Sequence, residues 1–551
     1  MPLVSRFGFP AQPPRSDSLD SILILEPTLG LDVSHPSVNA RPGSTPYSEN
    51  FIIRDGGIEP RPMLSLRSGT PQPLDIVMGG AEVVAVGGLR YPFASGTTIA
   101  AYFNGNAWSR LSYVSAFGVN DSPNGSNVNY TDTTQIYDAV ANDNIAVWAQ
   151  GSAQNLYCWV SASTLFSSLT GAPQARYVTA FNGYLVTFNQ GTLVQRVQWN
   201  DRGSNSSWTG GLSGSADLLD MRGSGTRIMA QENRLVLFSE YEVWEGFPVA
   251  FPFIFNFDPI DRSVGCPYSW TCANTPAGIM FLSNDYNVYL ISKWGGPARS
   301  VGDTVQKYIR ENIDQPQRAW AVYDRTYNQY QLYFPTKSGS GRPQNALFLN
   351  VAKVQYSPLL TQVGEGAWGL QTFDKVAGQI SLTRGFEAQV SSGGTTWQAL
   401  KNAGVTWASL TNPWADFAGQ TNTQRAIHVG SSAGTMYYLN SAATSDNGTP
   451  CRSIWRSHAM FGFQPNRQKT MNRMRIDYLS EGVSILTAEA SRTQGASFDP
   501  GITVSLPANS VLSEAVFHFY TSARYPMLQV SSEAERYRLY RFWLSVRATA
   551  R

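Results

Sequence analysis

The sequence predicts a mostly β protein whose core is a β-propeller built of repeated hairpins or four-stranded blades. The first observation is composition: of 551 residues, 15% are charged and 12% aromatic, and 48 are glycine. Such a chain favours pleated, half-buried surfaces joined by tight turns, and it disfavours long amphipathic helices. The other two observations are a recurring hairpin pattern and the regular spacing of its copies.

The hairpin pattern is clearest in AFNGYLVTF (180–188) and AQENRLVLF (230–238), which align without gaps. Each contains a turn followed by apolar residues that end in Phe. Similar units follow at 278–292, 319–334 and 426–440, with weaker copies at 83–103 and 144–160. A β-prone run, a short Gly/Asn/Asp/Ser turn and a second run are typical of a β-hairpin. A spacing of about 40–50 residues matches propeller blades, although a pair of stacked sandwiches would give a similar local pattern.

Three regions differ in pattern along the chain. Residues 1–70 are Pro-rich with little regular pattern, which predicts an extended N-terminal arm. Residues 71–450 contain the hairpins and polar, Gly/Ser/Asn-rich segments at 117–134 and 201–217, which predicts a propeller-like core with long surface loops. Residues 451–551 contain further strand patterns, and we expect a C-terminal β-sandwich-like domain there.

The charge balance and the cysteines exclude several classes of protein. There are 41 Lys and Arg residues against 39 Asp and Glu, a net charge of +2, whereas tight nucleic-acid binders have a marked basic excess. Four cysteines without a CxxC pair argue against a disulfide scaffold. The first 15 residues lack an apolar signal region and SILIL at 21–25 is too short to cross a bilayer, so we expect no membrane-spanning segment and synthesis in a reducing cytoplasm.

The sequence offers no residue to assign to catalysis, to a metal or to a cofactor. Cys266 and Cys272 lack the spacing and the partners of a zinc site, and we expect two buried thiols. Asp258, Asp261 and Asp285 lack the pattern of a calcium loop and are typical of turn-capping residues. There is no G-x-S-x-G elbow, Walker A loop or dinucleotide fingerprint. We therefore predict that the chain is not an enzyme and needs no cofactor.

One basic cluster is a candidate contact site. It consists of Arg467, Lys469, Arg473 and Arg475. Alternate positions on a strand face the same way, which would place Lys469, Arg473 and Arg475 on one face. The functional interpretation is contact with DNA phosphates or with an acidic partner subunit. The alternative is a solvated strand face.

The stretch 30–64 contains Pro42–Gly43, Asn50, Asp55–Gly57 and Arg61–Pro62. With these residues it resembles the opening of the tail nozzle proteins, also called tail tubular or stabilisation-type proteins, of short-tailed bacteriophages. The segments that resemble blades of the same family lie at 233–246, 262–292 and 319–335. The resemblance covers residues 30–64 and 176–335; elsewhere only the composition is similar.

The resemblance implies a structural virion protein that forms the distal nozzle of a short tail and prolongs and gates the DNA ejection conduit. It implies a homo-oligomeric, six-fold ring in the virion tail, assembled in the host bacterial cytoplasm. Its expected partners are the adaptor and portal assembly, tail fibres or tailspikes, and the genomic DNA that passes through the lumen. A near-neutral chain suits such a conduit, because a basic lumen would hold the duplex back through phosphate contacts.

The alternative function is a carbohydrate-binding or glycan-cleaving propeller that acts as a receptor-binding tail component. Its candidate sugar-stacking residues are Trp208, Trp244 and Trp294. The competing interpretation of these tryptophans is that they belong to the cores of the blades.

Overall fold

The structure is a computed structural model. It describes residues 20–36, 40, 43–67, 74–105, 107–114, 130–161, 163–251, 253–354, 367–373, 382–391, 423–460, 468–533 and 536–549. Within these residues the helical elements are one α-helix, α1 (Gln306–Asn312), and three 3-10 turns, Ser269–Thr271, Pro316–Arg318 and Val351–Lys353. Strands make up most of the remainder, so the mostly β fold class is confirmed.

The N-terminal region supplies seven strands that pair with partners distant in sequence. They are β1 (Asp20–Leu25), β2 (Gly30–Leu31), β3 (Ser44–Thr45), β4 (Tyr47–Glu49), β5 (Phe51–Arg54), β6 (Gly57–Pro60) and β7 (Met63–Leu66). Apart from the β5–β6 hairpin and the short β2–β3 pair, these strands extend sheets formed by later parts of the chain.

The described chain then forms seven consecutive antiparallel units of four strands, which we call blades 1 to 7. Blade 1 consists of β8 (Gly79–Val84), β9 (Arg90–Ser95), β10 (Ala100–Phe103) and β11 (Trp108–Arg110). Blade 2 consists of β13 (Asp132–Asp138), β14 (Asp143–Ala149), β15 (Tyr157–Val160) and β16 (Leu165–Ser168). Blade 3 consists of β17 (Tyr177–Phe181), β18 (Tyr184–Gln190), β19 (Leu193–Trp199) and β20 (Gly214–Asp217). A short strand, β12 (Ser112–Val114), pairs parallel to the outer strand of blade 2.

Blades 4 to 7 complete the set. Blade 4 consists of β21 (Gly225–Gln231), β22 (Arg234–Ser239), β23 (Val243–Pro248) and β24 (Phe255–Asp261), and blade 5 of β25 (Ala273–Thr275), β26 (Gly278–Leu282), β27 (Val288–Ser292) and β28 (Arg299–Ser300). Blade 6 consists of β29 (Trp320–Asp324), β30 (Gln329–Pro335), β31 (Pro343–Asn350) and β32 (Ala367–Thr372). Blade 7 consists of β33 (Leu382–Ser391), β34 (Thr423–Ser431) and β35 (Met436–Asn440), with β7 as its fourth strand. The N-terminal strand β7 therefore closes the last blade.

The first strands of the blades surround a common axis. Contacts run from β8 through β13 and β17 to β21, and from β25 through β29 and β33 back to β8. The turn Ser269–Thr271, which precedes β25 in the chain, contacts β21 and β29. Because each blade is the same up-and-down meander, the first strands all begin at one end of the axis, which we call the upper end. The β-propeller prediction is therefore confirmed, with seven blades among the described residues.

The sequence repeat arises from equivalent hairpins. Residues 180–188 span the turn from β17 to β18 of blade 3, and residues 230–238 span the turn from β21 to β22 of blade 4. In both copies, alternate apolar side chains point into the space between neighbouring blades. Phe188 and Leu237, for example, lie in one buried cluster with Ile228 and Trp320. Each blade thus covers its neighbour, which is why one blade alone could not bury its faces.

A second domain packs two sheets face to face. Its later strands are β36 (Ser445–Asp446), β37 (Thr449–Pro450), β38 (Arg452–Arg456), β39 (Gln468–Ser480), β40 (Ser484–Ser491), β41 (Ile502–Leu506), β42 (Asn509–Ala523), β43 (Met527–Glu533) and β44 (Tyr537–Thr549). One sheet has the order β42-β39-β44-β6-β5, with β1 paired to β44. The other runs β4-β38-β43-β40-β41, and the core between the two sheets includes Phe51, Trp455, Met474, Phe517 and Val530.

The second sheet continues blade 6 without a break, because β4 bridges β32 on one side and pairs with β38 on the other. The N-terminal region therefore extends across both domains and supplies strands to each of them. The division of the chain at residues 70 and 450 stays a prediction. Among the described helices, none is long and apolar enough to cross a membrane.

Candidate functional site

The joint between the propeller and the sandwich is built by the segment that carries the family resemblance. Arg61 follows β6 and is buried. Its Nη1 donates to Asp446 Oδ1 at 3.0 Å, its Nη2 donates to Asp446 Oδ2, and the guanidinium carbon lies 4.3 Å from the Phe373 ring centroid. Burial acts to lower the pKa of Arg61, but the adjacent Asp446 carboxylate raises it above its ordinary value. The guanidinium is therefore a permanent cation within the joint.

Asn50 connects the same cation to both domains. Its Oδ1 accepts from Arg61 Nε at 3.0 Å and from Thr372 N of blade 6 at 2.8 Å, while its Nδ2 donates to Arg452 O of the sandwich at 2.8 Å. Its φ of 59° lies in the left-handed region, where Asn is one of the more tolerated residues. The motif residues Asn50 and Arg61 thus have a structural role. Asp446, the acidic partner of Arg61, lies in the turn sequence SDNG and was not identified from the sequence.

A groove lies between the lower face of the propeller and the sandwich. One cavity of about 660 Å³ is lined by residues of both domains, including Arg54, Tyr327, Ser441, Arg536 and Arg538. A neighbouring cavity of about 530 Å³ shares Tyr327, Ser441 and Arg536 and extends under the blades. The groove is therefore a concave surface that both domains form together.

Asp324 ends β29 on the wall of the second cavity and is 2% exposed. Its Oδ1 accepts from Thr326 N at 2.9 Å and from Tyr327 N at 3.2 Å, and its Oδ2 accepts from Gln331 Nε2 at 3.3 Å. Burial, and then the charge of Glu387, raise the pKa of Asp324 from 3.8 to about 7. This carboxyl group therefore changes charge near neutral pH.

The lower end of the axis carries ion-paired carboxylates. Arg425 Nη2 lies 3.0 Å from Glu82 Oε2, and Arg425 Nε lies 3.2 Å from Glu387 Oε2. Arg325 Nε lies 3.2 Å from the same Glu387 oxygen. These pairs link blades 1, 6 and 7. In the described parts of the chain, no group of three or more His, Cys, Asp or Glu residues is arranged to hold a metal ion.

The predicted basic cluster does not share one face. Arg467 lies outside the described residues. Lys469 is buried, and its Nζ donates to Arg524 O at 2.9 Å. Arg473 is exposed, and Arg475 lies 3.4 Å from Glu514 with its guanidinium carbon 4.9 Å from the Trp543 ring centroid. A β-bulge between positions 471 and 473 shifts the alternation, so that Lys469 faces the core while Arg473 and Arg475 face outward. Contact of these residues with DNA or a partner stays a prediction.

The other residues singled out in the sequence fall mainly in blade cores. Cys266 and Cys272 are buried free thiols whose Sγ atoms are 3.4 Å apart. Trp208 and Trp244 are buried, which agrees with the blade-core interpretation and removes them as sugar-stacking candidates. Trp294, in the turn after β27, is 69% exposed. Most of the predicted loop 117–134 lies outside the described residues.

No protein-family model and no curated protein matches the chain. Among solved structures, it is similar to BamB from Moraxella catarrhalis, with 9% identity, 69% of this chain and 98% of that chain covered, and a TM-score of 0.33. It is also similar to an exo-β-1,3-galactanase from Phanerochaete chrysosporium (9% identity, 87% and 100% covered, TM-score 0.27) and to the Pan2 WD40 domain of Neurospora crassa (9%, 77% and 97%, TM-score 0.31).

The prediction that the chain is not an enzyme is corrected by these comparisons. The similar structures include the galactanase and a family 43 arabinoxylan arabinofuranohydrolase from Bacillus subtilis, so the exclusion of catalysis does not stand. The motifs sought in the sequence were local, whereas a glycoside hydrolase uses carboxylates that the fold brings together. At TM-scores of 0.24 to 0.27, the likeness transfers no reaction to this chain.

Proposed function

We propose that this chain is a structural subunit of the distal nozzle of a short phage tail, where it prolongs and gates the DNA conduit. The observation that supports the proposal is the role of the segment that resembles nozzle openings. Asn50 and Arg61 of this segment connect the propeller to the sandwich through hydrogen bonds, and Arg61 pairs with Asp446. The resemblance therefore rests on residues that hold the propeller and the sandwich in a fixed position relative to each other.

The construction of the joint suits a subunit that must keep its two domains at a fixed angle within an assembly. Blade 6 and one sandwich sheet form a continuous set of strands through β4, so the backbone hydrogen bonds of one domain extend into the other. Sheet pairing of this kind resists bending better than a flexible linker does. A subunit in a closed six-fold ring needs two different faces that meet head to tail, and a rigid two-domain body can present them at a fixed angle.

The first test is assembly. The purified full-length chain is mixed with the adaptor–portal complex of the phage that encodes it, and the mixture is followed by analytical ultracentrifugation and negative-stain microscopy. We expect six copies at the distal end of each adaptor ring. Chains that stay monomeric and never join the adaptor would contradict the proposal.

The joint gives this test a matched pair of variants. Arg61→Gln disrupts the bidentate pair with Asp446, whereas Arg473→Gln removes an exposed arginine of the sandwich. If a fixed domain angle is required for the ring, Arg61→Gln should lower the fraction of assembled rings. Arg473→Gln leaves the joint intact, and a change in assembly for that variant alone would assign the contact to the basic cluster instead.

The second candidate function is a carbohydrate-binding or glycan-cleaving propeller at the phage tail. The observation in its favour is Trp294, an exposed indole beside the cationic Lys293, whose Nζ lies 4.8 Å from the ring centroid. Aromatic faces of this kind can stack on sugar rings. Bacterial surface glycans on an array are the probe, together with a depolymerase assay. We expect Trp294→Ala to lose binding, while Tyr520→Ala, which removes an 85% exposed aromatic residue of the sandwich, keeps it.

A further inference from the structure

The upper end of the propeller axis brings together two arginines from opposite blades, Arg227, which is buried, and Arg384, which is half-buried. Arg227 lies on β21 of blade 4 and Arg384 on β33 of blade 7. Asp132, at the start of β13, places its Oδ1 2.6 Å from Arg227 Nη1. Arg384 donates from Nη1 to the carbonyl oxygen of Thr131 and forms no ion pair with any of the described residues. The pair of cations thus faces one carboxylate, which is already bound to Arg227.

Both cations pack on the same indole. The guanidinium carbon of Arg384 lies 4.2 Å from the ring centroid of Trp270, and that of Arg227 lies 5.1 Å from it. Trp270 is 3% exposed, and its ring contacts Tyr130 and Tyr177. Cation–π contacts hold the guanidinium planes in place but do not neutralise their charge.

Two further arginines add positive charge to this end of the axis. Tyr130 donates its hydroxyl to Arg318 O at 3.0 Å, and the charges of Arg342, Arg384 and Arg318 all act on that phenol. Burial nevertheless raises the pKa of Tyr130 to about 12, so the phenol supplies no negative charge near neutral pH. The charges of Arg318 and Arg342 therefore act on the same neutral phenol as that of Arg384.

The hydrogen-bonding capacity of these arginines is incompletely used. Arg227 is 8% exposed, and its Nε has no hydrogen-bond partner among the described residues; the buried Nε of Arg318 likewise has none. Burial, and then the charge of Arg227, lower the pKa of Arg384 to about 9. Guanidinium groups whose charge or N–H donors are only partly satisfied are costly to bury, and an anion with several oxygens would supply a counter-charge to Arg384 and a further acceptor to Arg227.

We propose that the upper end of the axis binds an oxyanion, the phosphate or carboxylate group of a small ligand, between Arg227 and Arg384. Planar guanidinium groups present paired N–H donors that match two oxygens of such a group. The half-buried Arg384 is the arginine of this pair that solvent reaches more readily. Because the two arginines come from blades 4 and 7, the bound anion ties opposite sides of the ring together. It therefore stabilises the propeller against unfolding.

The experiment titrates the full-length protein with sodium phosphate and, separately, with sodium acetate, against sodium chloride at matched ionic strength. Thermal unfolding and calorimetry are the readouts. We expect a saturable rise in Tm with at least one oxyanion beyond the effect of chloride. A response to phosphate alone assigns a phosphorylated ligand, and a response to acetate alone assigns a carboxylate. If neither ion raises Tm above the chloride control, the proposal is overturned.

Three variants make the test specific. Arg384→Gln should weaken anion binding at least tenfold, whereas Arg325→Gln, at the other end of the axis, should leave it unchanged. Asp132→Asn removes the carboxylate that competes for Arg227 and should tighten binding several-fold. Tighter anion binding by Asp132→Asn, opposite to the weaker binding by Arg384→Gln, distinguishes a specific anion site from a general loss of structure. It also decides the question if Arg384→Gln fails to fold, because unchanged affinity in Asp132→Asn would overturn the proposal.

Discussion

Asp324 predicts an unusual dependence of stability on pH. Burial and the charge of Glu387 raise its pKa in the folded protein from 3.8 to about 7, a shift of about three units. Each unit corresponds to about 1.36 kcal/mol, so the full effect is about 4 kcal/mol. Between pH 4 and 7 the unfolded chain releases this proton while the folded chain keeps it. The free energy of unfolding therefore falls across that window as the pH rises, and the loss is complete above pH 7.

Asp324→Asn isolates this effect. The Asn side chain does not titrate, and its Oδ1 can still accept from Thr326 N and Tyr327 N, while the lost contact with Gln331 gives an offset that does not change with pH. Urea unfolding of both proteins from pH 4 to 8 gives the difference in free energy at each pH. We expect the variant to gain about 4 kcal/mol relative to wild type across this range.

A matched control comes from an exposed carboxylate. Asp258 lies on β24 and is exposed to solvent, so Asp258→Asn makes the same carboxyl-to-amide change away from the buried site. Groups common to both proteins cancel in these differences. A difference for Asp324→Asn that stays within about 1 kcal/mol from pH 4 to 8 would refute the assignment of the raised pKa to this buried carboxyl group.

Three further predictions concern stability. Arg61→Met leaves Asp446 as a buried charge without its cation and should cost about 3–5 kcal/mol in urea unfolding, with part of the loss recovered by adding Asp446→Asn. Phe238→Ala opens a cavity between blades 4 and 5 and should cost about 3–5 kcal/mol by the same measurement; a cost under 1 kcal/mol would argue against this packing. Gly434→Ala should lower Tm in calorimetry, because φ is +77° and the new Cβ would lie 1.9 Å from Leu74 O; an unchanged Tm would contradict this turn.

The hairpins could be predicted from the sequence because their signal is local. A turn such as Asn182–Gly183 between two β-prone runs predicts the β17–β18 pairing whatever lies around it. The same holds for β29 and β30, whose runs flank a short polar turn. Cyclic packing of the blades then follows from the spacing of the hairpins and from the need of each blade to bury both faces.

Pairings between distant segments could not be predicted in this way. Nothing in Met63–Leu66 indicates that β7 pairs with Met436–Asn440, because that contact depends on closure of the whole ring. The bulge near Met471 is equally hidden, and it reverses the side on which Lys469 lies relative to Arg473. Arg227 and Arg384, at the upper end of the axis, come from different blades, so each appears in the sequence as an isolated polar residue on a strand.

The two long-range closures constrain when the chain can acquire its structure during synthesis. Strand β7 is synthesised long before its partner strand, Met436–Asn440, and β1 is synthesised long before its partner strand, Tyr537–Thr549. During translation, then, β1 and β7 have exposed edges and lack their partner strands for several hundred residues. A nascent chain of this kind gains its final shape only after Tyr537–Thr549 has been synthesised. Chaperones that shield strand edges would consequently raise the yield of native protein more than they would for a propeller closed by neighbouring strands.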